Sequence, residues 1–197
     1  MRIVVGLGNP GSAYASTRHN VGCAVVEELE QRWRIRLHHA DRSARIGAGV
    51  VDGEPVMLVE PQLYMKRSGP ALSAVQPPFT AQALIVVHDD LDLECGRLRV
   101  KRGGGTGGHR GLESIVECFG SEFTRVRLGI GRPPQGEEVA TYVLSPFGPE
   151  EHPIIAAAVQ RAADAVSCIV RQGEEAAMNR FNARGSDCLD AAPMGRK

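Results

Sequence analysis

Residues 83–92 read Ala-Leu-Ile-Val-Val-His-Asp-Asp-Leu-Asp. From Ala83 to Val87 the run is apolar without a break and rich in β-branched residues, the pattern of a strand covered on both faces; a half-exposed strand would alternate with polar residues. A strand buried on both sides needs helices above and below it, so this stretch predicts an α/β fold. Its C-terminal end delivers His88, Asp89, Asp90 and Asp92, and the carboxyl ends of such strands are where α/β sheets present functional groups.

Working outward, residues 2–7 predict a second buried strand that runs into a glycine turn. From Val21 the apolar positions Val21, Ala24, Val25, Leu29 and Trp33 recur at helical spacing, with Glu27, Glu28, Glu30 and Arg32 on the other face and Asn20 placed as the N-cap. Residues 44–51 and 55–60 flank Asp52-Gly53, whose access to positive φ predicts a hairpin of antiparallel strands. Residues 97–102 alternate, which puts Arg97, Arg99 and Lys101 on one face. A glycine-rich loop, 103–108, follows. Leu112, Ile115, Val116 and Phe119 mark a short helix ended by Gly120, and a strand is predicted near 124–130. A long helix over 150–172 carries Ile155, Val159, Ala162, Val166 and Ile169 before Gly173, and a short helix follows over 174–182. Hairpin and crossover signals together imply antiparallel and parallel pairing. The expected architecture is one α/β domain over residues 1–184, a mixed twisted β-sheet flanked by helices, followed by an irregular tail over 185–197.

With 43% hydrophobic and 23% charged residues in 197, the chain has the balance of a globular protein, which excludes disordered and fibrous classes. Lys and Arg equal Asp and Glu at 23 each, so bulk attraction to nucleic acid is not expected, although local clusters remain open. No segment approaches the length needed to cross a bilayer, and the apolar run at the N-terminus is too short for a signal peptide; a cytoplasmic protein without a membrane is expected. Cys23, Cys95, Cys118, Cys168 and Cys188 are odd in number, widely spaced and without a CxxC pair, so neither a disulfide framework nor a zinc site is expected.

Three segments carry possible chemistry. Gly6-Leu7-Gly8-Asn9-Pro10-Gly11 matches the GxGxxG fingerprint after a strand, but Pro10 and the polar run from Ser12 to Thr17 delay the helix whose N-terminus would hold a pyrophosphate. A dinucleotide-dependent enzyme is therefore a disfavoured alternative. His19, in Thr17-Arg18-His19-Asn20, stands just before a helix, where a histidine is more often a surface or capping residue. Paired with Asp89 at a strand end, it would have its tautomer fixed and would suit general-base work on water. Otherwise Asp89, Asp90 and Asp92 read as loop caps or a cation site, although three clustered carboxylates are commonly just a solvated turn. Gly103-Gly104-Gly105-Thr106-Gly107-Gly108-His109-Arg110-Gly111 lacks the Gly-Lys-Ser/Thr ending of a P-loop, which disfavours nucleotide hydrolysis. Glycines permit close approach of a ligand, and Arg97, Arg99, Lys101, Arg102, Arg125 and Arg127 lie near it in sequence; a solvated charged face explains those cations equally well.

Four ordered segments, VVGLGNPGSAYASTRHNVG at 4–22, LYMKRSG at 63–69, VVHDDLDL at 86–93 and GGGTGGHRGL at 103–112, resemble the bacterial type of peptidyl-tRNA hydrolase, and the resemblance spans residues 2 to about 182. It implies a cofactor-free and metal-free esterase, mainly monomeric and without an obligate protein partner. Its substrate would be peptidyl-tRNA dropped by ribosomes, cut at the ester so that the tRNA is recycled. His19 would be the base that activates water, assisted by Asp89, with Asn9 contacting the substrate near the ester. Tyr14, Tyr64 and Met65 match positions lining the site, His109 belongs to the adjoining loop, and Arg99, Lys101 and Arg127 match basic positions used on tRNA phosphates. Two of the substrate-binding positions depart from the pattern. Lys66 and Arg110 stand where the family usually has asparagine, and Lys and Arg only donate hydrogen bonds where an amide also accepts. That departure keeps a second function open, an RNA-binding relative without useful turnover.

Overall fold

The strand read from residues 83–88 lies in the middle of the sheet. In the computed structural model, which describes residues 1–40 and 42–183, it is β5 (Leu84–Asp90). It continues two residues past His88 because its pairing with β7 (Thr124–Gly129) carries on through Asp89↔Leu128 and Asp90↔Gly129. On its other side it pairs in parallel with β1 (Arg2–Gly6), and β1 in turn pairs in parallel with β4 (Glu54–Pro61). β3 (Ala44–Val51) folds back antiparallel on β4 through Asp52 and Gly53, at φ 51° and 86°. The two-residue β2 (His38–His39) and the antiparallel β6 (Leu98–Arg102) form the edges, giving the order β2-β3-β4-β1-β5-β7-β6. The sheet is mixed, as its turn and crossover signals imply.

Both faces are covered, which is why the central strands lack polar alternation. Val4, Ile85, Val87, Val126 and Leu128 pack with α1 (Val21–Trp33), α5 (His152–Gln172) and α6 (Glu174–Phe181). Ile3, Val5, Leu84 and Val86 pack on the other side with α2 (Ser68–Ser73) and α3 (Arg110–Phe119). Gly22 brings α1 onto the sheet: a Cβ there would lie 2.4 Å from the Val87 carbonyl oxygen, so any other residue would push the helix start away from β5. Gly6 and Gly8 do similar work. A Cβ at Gly6 would meet the Gly22 oxygen at 2.5 Å, and one at Gly8 the Cys23 sulfur at 2.5 Å. Gly6 and Gly8 are thus explained by packing between β1 and α1, whereas Gly11 has open space beside it, and the fingerprint by itself gives the dinucleotide reading no support.

Among the strands and α-helices of the described residues, three escape the sequence reading: β2, α2 and α4 (Val139–Val143), each six residues or shorter and without room for a periodic stripe. One expectation needs correction. At 21 residues α5 is long and apolar enough to cross a membrane by length and composition, yet half of its apolar window is buried, and Ile155, Ala162, Val166 and Ile169 point into the core. It is the core helix of this domain. The tail from Gly185 lies outside the described residues.

Near the end of β4, Glu60 is 2% exposed; Arg45 Nη1 donates to its Oε2 at 2.6 Å, and Oε1 has no partner among the described residues. Burial pushes this carboxyl up to about 7, against the pull of Arg45 in the other direction. An acid whose pKa is raised by folding binds more protons folded than unfolded, so its contribution to stability falls as pH rises from the ordinary 4.5 to about 7. Glu60→Gln should therefore stabilise the protein by about 1–3 kcal/mol more at pH 8 than at pH 5. Thermal melts of both proteins at the two pH values check this, and equal shifts at both would contradict it.

Candidate active site

The loop after β1 ends in a 3₁₀ turn, Arg18–Asn20, that leads directly into α1. With three residues per turn, consecutive side chains leave it about 120° apart. Arg18, His19 and Asn20 accordingly reach three different parts of the molecule.

Asn20 is not the side-chain cap expected from its position; no such hydrogen bond is made to α1. Its Oδ1 accepts from the Asn9 backbone N–H at 2.9 Å and its Nδ2 donates to the Asn9 carbonyl at 2.8 Å. The Asn9 backbone is held as if by a neighbouring strand. Asn9 Oδ1 then accepts from the Met65 N–H at 2.9 Å. With the oxygen end of that amide occupied, its NH₂ end is the donor left over.

His19 Nδ1 lies 2.9 Å from both oxygens of Asp89, and His109 Nε2 lies 2.9 Å from Asp89 Oδ1. The tautomers follow from the surroundings. His109 is the N-cap of α3, and its Nδ1 accepts from the N–H groups of Gly111 at 3.1 Å and Leu112 at 3.4 Å, so the proton of the neutral ring sits on Nε2 and is donated to Asp89. Asp89 is 3% exposed; burial alone would raise its pKa, but His109 and His19 outweigh burial and hold the carboxyl well below the usual range. Being ionised, it only accepts, so His19 presents Nδ1–H to it and keeps the Nε2 lone pair free.

Beneath the array lies His88, whose Nδ1 donates to the Asp89 carbonyl at 2.7 Å and whose ring meets that of His109 edge-on at 5.1 Å. Burial, and then the nearness of His109, pushes this imidazole down to about 3, so it stays neutral. Nothing local in the sequence distinguishes this histidine from one facing solvent.

At the rim, the Tyr14 and Tyr64 rings stand edge to face at 6.3 Å. Tyr64 is 55% exposed at φ 62°, a conformation that is strained for a non-glycine residue and persists only where the surrounding structure holds it. Met65 is buried, its sulfur close against Gly111. Lys66 and Arg110 follow Met65 and His109 in the chain and are exposed, and their side chains make no hydrogen bond or ion pair among the described residues.

The basic residues divide. Arg99 pairs across β6 and β7 with Arg127, and Lys101 with Arg125. Arg127 sits opposite His88 in register and donates to Asp90 at 2.7 Å, so this cationic face runs up to Asp90 at the end of β5. Arg125 does not join it. It is 3% exposed, donates to the carbonyls of Gly105 at 2.6 Å and Gly104 at 2.7 Å, and lies over the Phe123 ring, bracing the glycine loop from below. Arg102 is likewise committed, to Glu174 at 2.6 Å. The carboxylates that suggested a cation also have partners: Asp90 has Arg127 and Asp92 has Arg132. His19, Asp89 and His109 bring possible ligand atoms within 4.8 Å of one another, but the two N–H protons joining them already satisfy the carboxylate.

The sequence profile of the family described as peptidyl-tRNA hydrolase matches residues 3–188. The chain is 49% identical over 180 residues to the peptidyl-tRNA hydrolase of Rubrobacter xylanophilus, covering 91% of this chain and 99% of that one. It is 46% identical over 187 residues to that of a Roseiflexus species, covering 93% and 86%. Among solved structures, the peptidyl-tRNA hydrolase of Acinetobacter baumannii superposes with a TM-score of 0.86 at 39% identity, over 93% of this chain and 95% of that one. Likeness of this extent runs through every element that carries the array from Asn9 to His109, and the chain belongs to the peptidyl-tRNA hydrolase family.

Proposed function

We propose that this chain hydrolyses the ester between the peptide and the 3′ end of tRNA in peptidyl-tRNA, with His19 as the base that activates water. The observation that carries this reading is the double acceptance at Asp89: one carboxylate takes N–H groups from His19 and His109, so the free lone pair of His19 is aimed away from it. His19 Nε2 takes a proton from water, and the hydroxide attacks the ester carbonyl carbon. The negative charge that develops on the carbonyl oxygen is met by the NH₂ end of Asn9, whose orientation is preset by Met65 and Asn20. The tetrahedral intermediate expels the ribose oxygen, which receives the proton from His19. Peptide acid and free tRNA leave, and the tRNA is recycled.

Tyr14, Tyr64 and Met65 line the approach for the peptide and the tRNA terminus, with Lys66 and Arg110 at the rim as exposed cations suited to the terminal phosphates. The two departures from the family pattern lie outside the hydrogen-bonded array, so the non-catalytic reading has no specific observation in its favour. All parts of the array come from one chain, and we infer that it acts as a monomer in the cytoplasm. Release of N-acetyl-amino acid from N-acetyl-aminoacyl-tRNA tests the reading; no release by the purified protein would overturn it.

Arg99, Lys101 and Arg127 are the residues we assign to the tRNA backbone. Each phosphate they neutralise contributes about −0.7 to −0.9 to the slope of log K against log salt, so changing all three to glutamine should flatten that slope by about 2. Binding of tRNA measured between about 50 and about 200 mM salt checks this. An unchanged slope would make the strand face a solvated surface only.

A further inference from the structure

We propose that Arg18 is a positioning residue for this hydrolysis: its clamp on Glu151 fixes the turn that presents His19 to Asp89. The inference rests on the reading of His19 as the base. Arg18 is 7% exposed although it adjoins a residue open to the cleft. Its Nη1 and Nη2 donate to Glu151 Oε1 and Oε2, both at 2.7 Å, and its guanidinium lies between two rings, 4.3 Å from the Tyr142 centroid and 4.8 Å from that of Phe147. The socket is itself braced, since Tyr142 Oη donates to the Ile130 carbonyl at 2.7 Å and Glu151 Oε2 accepts from the Gly148 N–H at 2.7 Å. The backbone follows the side chain: Arg18 N–H donates to the Ser145 carbonyl at 3.0 Å, and Thr17 bridges Pro146.

Stability alone does not account for such an arrangement, because replacing a buried ion pair by packed apolar groups is often neutral or stabilising. A planar fork gripping a carboxylate with two parallel hydrogen bonds supplies direction instead. In a three-residue turn, holding Arg18 on one side and Asn20 on another leaves His19 a single orientation, the one in which Nδ1 bisects the Asp89 carboxylate. A shift of about an ångström in such a group loses roughly a hundredfold in rate.

The experiment compares wild type, Arg18→Lys, Glu151→Gln and His19→Ala on N-acetyl-aminoacyl-tRNA. Lysine keeps the charge and the stem but not the fork; glutamine keeps the size of the socket and one accepting oxygen, and carries the test by itself should Arg18→Lys not fold. Both clamp variants should lose about 30–100-fold in kcat with KM within about twofold, following the misplacement argument. In ¹⁵N-histidine NMR, the signal of a His19 protonated on Nδ1 should give way to a mixture of tautomers. A merely structural role lowers Tm but leaves kcat per folded molecule and the tautomer signal at wild-type values; that result in Glu151→Gln overturns the proposal. If His19→Ala turns over at the wild-type rate, the base assignment fails and the inference with it. If His19→Ala is inactive while both clamp variants are fully active, the inference alone fails.

Discussion

Asp89→Asn lowers kcat by about a thousandfold to ten-thousandfold, the scale set by other buried aspartates that orient a catalytic histidine. The size follows from a conflict of hydrogen-bond donors. Asp89 accepts from His19 at both oxygens and from His109 at one, all at 2.9 Å. An amide offers one accepting oxygen, and its NH₂ group would face an imidazole N–H. One ring must then change tautomer. His109 resists, because its Nδ1 already accepts from the Gly111 and Leu112 N–H groups at the start of α3. His19 has no such restraint, so its proton moves to Nε2, the nitrogen that has to be bare to take a proton from water. The variant should fold and bind tRNA, since the amide is isosteric and Arg99, Lys101 and Arg127 are untouched. Single-turnover rates from pH 6 to pH 9 check this, and a rate within tenfold of wild type would remove Asp89 from the mechanism.

His19→Ala should lose about a thousandfold in kcat, within the range attributed to general-base catalysis, while Kd for tRNA changes less than about threefold. His19 belongs to neither apolar cluster of the core, and its side chain is 12% exposed, so water fills the space it leaves. Asp89 keeps the hydrogen bond from His109 and is not left bare, which limits the loss of stability to about 1 kcal/mol. Equilibrium binding together with single-turnover kinetics on one preparation separates the two effects. Retention of more than a tenth of the wild-type rate would be incompatible with His19 as the base, and a parallel collapse of binding would make it a structural residue.

These results depend on different kinds of information in the chain. The unbroken apolar runs of β1 and β5, the helical stripe of α5 and the turn residues Asp52 and Gly53 determine the α/β layering by themselves, because burial on two faces and positive φ constrain residue type at each position. The candidate base and its carboxylate were legible too, as members of ordered motifs 70 positions apart. Partner choice was not legible. Asn20 reads as a cap and serves as a clamp on Asn9; Arg125 reads as one more surface cation and braces the glycine loop; Arg18 carries no distinguishing signal in the sequence and finds a carboxylate 133 residues away. A polar side chain pairs with whichever donor or acceptor the packed sheet and helices bring within about 3 Å, and in a drying interior it cannot go unpaired without a penalty. Local pattern governs which face of an element is apolar. Only the assembled layers decide which polar group each buried polar side chain meets, and in this protein that choice sets the tautomer of His19.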